Sequence, residues 1–226
     1  MIKEGHGLTG TALTPHSGST SIVPYIAAWS REVELDPVLR IDPEAGFTYE
    51  DFVPGDRDAY GALWRRQAIV SGDRGVAQLA KVNSRRQRRC MTRMLCQVCA
   101  GPPSRTSEGT LFLNEDQRTD WEDWPENLCM AHPPLCLPCA GESVDRCRYL
   151  LGSNVAVRVQ DPQPWGVYGR QYALGPDNRL SGGKAVTLPY GDPGLGWTLA
   201  AQMVVCLVGC TIVDLADELA RYGSSA

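Results

Sequence analysis

No apolar stretch in this sequence approaches the roughly 20 residues that a bilayer-crossing helix needs. The longest, Met203–Val208 within Leu199–Val208, is far too short, so no membrane span is expected. The N-terminus has no basic segment followed by an apolar core and a small-residue cleavage site; Gly5–Ser21 is Gly, Ser and Thr instead, which we read as cytoplasmic. Recognised enzyme signatures are missing too. There is no Walker loop, no Gly-x-Ser-x-Gly, no His-Glu-x-x-His, and no His-x-Glu ahead of a Pro-Cys-x-x-Cys. Gly182-Gly183-Lys184 lacks the spaced leading glycine of a phosphate loop and reads as a turn. Lysine is rare against arginine, 3 to 19, which reads as the mark of a GC-rich coding genome.

What is present suits a globular chain. With 226 residues and 43% apolar content it can bury one substantial core, or two modest ones sharing an interface. The expected class is α+β. Residues 1–21 read as a flexible arm, 22–83 as a helical and loop segment with a helix over Arg57–Ile69, and 84–151 as a basic helix plus a cysteine-rich unit. Residues 152–226 read as an α+β segment. There Val155, Val157 and Val159 alternate, Trp165–Leu174 and Ala185–Leu188 look like strands, and Thr211–Val213 can pair into the sheet. Leu195–Val208 reads as a helix closed by Gly209, and Asp214 as the cap of a last helix.

The most informative feature is the set of nine cysteines. Cys96-Gln-Val-Cys99 and Cys136-Leu-Pro-Cys139 are separated by 36 residues, and a two-residue spacing lets both sulfurs of a pair reach one ion. The odd count and the paired spacing favour structural zinc over a disulfide framework. Cys129 and His132 lie close enough in sequence to stand in for one of the four ligands. Cys90, Cys147, Cys206 and Cys210 read as buried thiols that behave as small apolar residues. A knuckle at the first pair, a hairpin through Thr110–Leu113 and a helix beginning at the second pair would make a treble clef, with the helix N-terminus stabilising negative sulfur.

Leu95-Cys96-Gln-Val-Cys99-Ala-Gly-Pro102, with Asn127-Leu128 and Pro134-Leu-Cys136-Leu-Pro-Cys139, resembles the zinc-binding core of HNH-family proteins, over about 50 residues. The resemblance implies a treble clef holding Zn2+. It does not carry nuclease activity with it, because no histidine lies between Cys99 and Cys129 or within Ala140–Leu151, where that family places its catalytic pair and its last metal ligand. Taken whole, the chain resembles zinc-finger proteins of streptomycete type, a likeness that implies no activity.

The net charge of −4 is unevenly spread. Arg57–Arg93 holds ten basic residues against Asp58 and Asp73, whereas Glu115–Glu126 holds six acids against Arg118. Arg85, Arg86, Arg88, Arg89 and Arg93 lead directly into the first cysteine pair, on a helix that Ser84 would cap. They could contact the phosphates of DNA or RNA, or a protein partner, or they could pair with the acidic segment of the same molecule. The leading expectation is a zinc-stabilised binding module. The alternatives are an enzyme of specialised metabolism or a hydrolase, with a pocket lined by Trp165, Tyr168 and Tyr190 and purely structural zinc, and a divergent nuclease.

Overall fold

Alternation along the second half of the chain builds one large sheet in the computed structural model, which describes residues 23–177 and 179–224. The arm expected over 1–21, and Ile22, lie outside the described residues. In chain order the strands are β1 (Ala27–Trp29), β2 (Leu39–Asp42), β3 (Gly46–Tyr49), β4 (Leu63–Trp64), β5 (Ala77–Val82), β6 (Arg105–Thr106), β7 (Gly109–Glu115), β8 (Cys129–Met130), β9 (Asn154–Leu174), β10 (Leu180–Pro189) and β11 (Thr198–Val213). The helices are α1 (Ser84–Arg93), α2 (Leu137–Arg146) and α3 (Leu215–Gly223). The chain is mixed α+β, 18% helix and 40% strand.

Two long antiparallel strands, β9 and β11, form the spine. The other edge of β9 carries β7 along its first part and β10 along its last. Between these partners fall Pro162 and Pro164, which have no amide hydrogen to offer and so sit where that edge needs none. The outer edge of β11 carries β4 at Leu199–Ala200 and β8 at Val205–Cys206. Two smaller pairs, β1 with β5 and β2 with β3, lie outside this sheet.

The two faces of the sheet bury different cores, as a period of two dictates. Phe112, Val155, Val157 and Val159 join Trp64, Met91, Trp124 and Leu207 in one cluster. Their alternates Leu111, Leu113 and Ala156 join Cys96, Leu135, Leu137 and Ala140 in the other, against Val213, Leu215 and Leu219. On this second face Arg158, wholly buried, meets Glu218 of α3 and also donates to the carbonyl and hydroxyl of Ser104, just beyond the first cysteine pair.

Two expected helices are absent. The segment 57–69 is extended, with β4 in its middle, because Tyr60 belongs to a turn: Asp58 accepts from the Tyr60 and Ala62 amides, and Gly61 takes a positive φ of 88°. Among the described residues of 23–83 the only helical element is a 3-10 turn at Pro54–Asp56. Leu195–Val208 is likewise not a helix; all but its first turn lies in β11. A strand buried on both faces shows no alternation, so an apolar run is ambiguous, and here the β-branched residues Val204, Val205, Val208, Thr211 and Ile212 favour the strand. Gly209 does not cap a helix; it lies inside β11 with φ at 70°, and its amide and that of Cys210 donate to the Glu126 carboxylate. Gly182 and Gly183 lie inside β10 at a break in register and do not form a turn between elements. No helix among the described residues is long and apolar enough to cross a membrane.

Candidate metal centre and basic helix

Helix α1 begins where Asn83, one residue before the expected Ser84, accepts from the Arg86 amide. It ends at Met94, whose left-handed φ of 46° turns the chain into the knuckle. There the Cys96 amide donates to the Gly101 carbonyl and the Ala100 amide to the Cys96 carbonyl, closing a tight loop around Cys96 and Cys99. The second pair comes from α2: Cys136 is its N-cap residue, Pro138 lies in its first turn, and Cys139 follows.

These four sulfurs come together, all within 4.8 Å of one another. Sulfurs about 2.3 Å from a tetrahedral ion stand about 3.8 Å apart. Cys99 and Cys136 show that separation, 3.8 Å. Burial pushes the thiols of Cys136 and Cys139 up, and the neighbouring sulfurs push Cys139 further; at Cys99 burial is outweighed by hydrogen bonds from Gly101 and the neighbouring cysteines, which hold that thiol below its usual range. Four cysteine sulfurs at these separations fit a metal ion, whose positive charge would hold them as thiolates.

Neither expected substitute joins the cluster. Cys129 pairs with Cys206 as a disulfide between β8 and β11, because register places the two directly opposite each other. This also corrects the reading of Cys206 as a free thiol. His132 is exposed and outside the cluster. Cys90 is a buried thiol as expected, Cys147 closes α2 half-buried, and Cys210 is half-buried beneath Pro125.

The five arginines of α1 divide by helical angle, at about 100° per residue. Arg86 points inward, forking onto both oxygens of Glu32 at 2.6 and 2.7 Å and donating to the Ala27 carbonyl. Burial pushes the Glu32 carboxyl up, but the Arg86 fork and the Trp29 and Asn83 donors outweigh it and hold the group below the usual carboxylate range. Arg88 is half-buried against the Trp64 ring, 4.9 Å from its centroid, with only long contacts to the Gly55 and Arg57 carbonyls. Arg85, Arg89 and Arg93 are exposed on successive turns and carry no ion pair among the described residues.

None of the five pairs with the acidic segment 115–126. Asp116 is engaged by Arg118, and Glu126 by the Gly209 and Cys210 amides. No family model, curated protein or solved structure matches the chain. The site therefore stands on its geometry.

A cavity of about 540 Å³ lies beside α1, walled by Arg88, Met91 and Thr92 from the helix, Met203 and Val205 from β11, and the loop of Asp58 and Tyr60. Of the three aromatics expected to line a pocket only Tyr190 does so; Trp165 and Tyr168 are not in its wall. Sequence reasoning missed Tyr60 and Asp58 here, having read Tyr60 as part of a helix. The turn signal Asp58-Ala-Tyr60-Gly61 was the available clue.

Proposed function

We propose that this protein is a nucleic-acid-binding module stabilised by Zn2+ at Cys96, Cys99, Cys136 and Cys139. The knuckle, the β6–β7 hairpin and α2 would together form a treble clef around the ion. A zinc ion held by four thiolates has no open position for substrate, so its contribution is folding energy and the fixed attitude of α1, which runs directly into the knuckle.

One observation carries the nucleic-acid reading: Arg85, Arg89 and Arg93 stand exposed on one side of α1 without an ion-pair partner among the described residues. Four residues of helix rise about 6 Å, so the stripe offers one guanidinium every 6 Å or so, a repeat suited to successive phosphates along a strand. Such contacts give salt-dependent affinity with little sequence preference. Arg86 and Arg88, expected to share this role, are turned to structural and cavity-lining tasks.

The test is binding of labelled DNA and RNA across a salt series by the zinc-loaded chain and by the R85Q/R89Q/R93Q variant. Each lost phosphate contact should lower the slope of log K against log salt by about 0.7 to 0.9, so about 2 to 3 for the triple variant. An unchanged slope, or no binding by the unmodified protein in low salt, removes the reading and leaves a protein partner as the candidate for this face.

A further inference from the structure

We infer that the basic face of α1 takes single-stranded nucleic acid, with one unpaired base lodged in the cavity beside the helix and stacked on Tyr60. This rests on the nucleic-acid reading above and names the form of ligand that the site is shaped to accept.

The position of the cavity is the first argument. Its helical wall is Arg88, Met91 and Thr92. At about 100° per residue, Arg88 and Thr92 occupy the strip of helix next to Arg85 and Arg89, with Thr92 itself exposed at the boundary. A strand whose phosphates lie along Arg85, Arg89 and Arg93 therefore has the cavity mouth on its flank, with no intervening element of α1 to cross.

The chemistry of the walls also suits a base. Tyr60 is 50% exposed, and its ring stacks on Tyr190 at 4.1 Å with 19° between planes. Tyr190 is held from its far end, where its hydroxyl donates to Asp58. Burial and the nearby carboxylate both push that phenol up, so it stays a neutral donor. The same Asp58 accepts from the Trp64 indole and from the Tyr60 and Ala62 amides, so the aromatic pair is fixed before any ligand arrives. Because four donors already occupy Asp58, the wall opposes an incoming base less than a bare carboxylate would. Met91 and Met203 add apolar thioether surface, and Arg88 adds a guanidinium with no carboxylate partner among the described residues. An aromatic wall, an apolar floor and one cation suit a flat heteroaromatic ring attached to a phosphate.

Size and access then select the single strand. About 540 Å³ is within the range of small-ligand pockets and has room for one nucleotide. Bases in a duplex are already stacked and paired, whereas an unpaired base can be splayed onto an aromatic side chain.

The experiment compares the zinc-loaded full chain with Y60A, Y60F and the triple arginine variant, measuring anisotropy of a labelled mixed-sequence oligonucleotide of about 16 nucleotides, single-stranded and as duplex. Single strand should bind more tightly than duplex. Y60A should weaken single-strand binding by about 5- to 150-fold, the loss of one stacked base, with duplex binding and salt slope unchanged. Y60F should bind like the unmodified chain, since stacking uses the ring and not the hydroxyl. Equal affinity for both forms, or a Y60A variant that binds normally, overturns the inference. If the triple variant still loses its salt slope in that case, the arginine stripe stands without the base pocket. No binding of either form by the unmodified chain in low salt overturns both.

Discussion

Arginine is abundant here, and individual arginines do unlike things because of where their Cα atoms fall. Arg158 points from β9 into the second core and is wholly buried, so its charge depends on Glu218 and on the oxygens of Ser104. Removing one member of a buried ion pair leaves the other uncompensated, at a cost of about 3–5 kcal/mol. E218A should therefore lower the unfolding free energy by that order in a urea titration. R158M/E218L, which removes both charges, should lose less than E218A, and a double variant as unstable as the single one would show that the charge is not the issue. Arg86 is the partly buried counterpart, its fork spent on Glu32. Arg85, Arg89 and Arg93 differ from Arg86 by helical angle. The five arginines of α1, Arg88 included, were visible as one basic run. Sorting them needed the position of Glu32, 54 residues from Arg86, which no local pattern encodes.

Among the elements, α1 does more than display arginines. The outer edge of β11 is paired at 199–200 by β4 and at 205–206 by β8, and between them Gln87 supplies what a strand would. Its carboxamide oxygen accepts from the Met203 amide, and its nitrogen donates to the Met203 and Ala131 carbonyls, all with the side chain fully buried. Q87L keeps the volume and orphans those three backbone groups, so it should cost at least about 2 kcal/mol of stability. Urea unfolding checks this, and a neutral Q87L would mean that the edge is satisfied in another way. The cysteine pairs were legible because a two-residue spacing constrains geometry locally, whatever the rest of the fold does. The strand β11 was not, because burial on both faces erases alternation, and its identity is decided by β9, a partner set by the whole topology. The Cys129–Cys206 disulfide was hidden for the same reason: it follows from cross-strand register over 77 residues of separation.

At the scale of the molecule, the cysteine cluster and the C-terminal strands share one structure. β7, which follows the first cysteine pair, is hydrogen-bonded to β9, and α2, which carries the second pair, packs with α3. Arg158 ties Ser104 of the cysteine-rich unit to Glu218 near the end of the chain. Purified protein should hold about one equivalent of zinc, and stripping it with a chelator should make 215–223 sensitive to protease as well as the residues around the knuckle. Metal analysis showing none, or iron, would remove the zinc assignment. A C-terminal helix still protected after complete removal would show that the two regions are energetically separate.

The docking of α1 against β11 has one more consequence. Ala201–Val204, apolar but for Gln202, is a stretch of strand edge, and Gln87 of the helix occupies its Met203 amide and carbonyl. An uncovered edge of this kind is a template for another chain's backbone. The helix that exposes Arg85, Arg89 and Arg93 thus also shields that edge, and a chain whose α1 has lifted away would present it to its own copies.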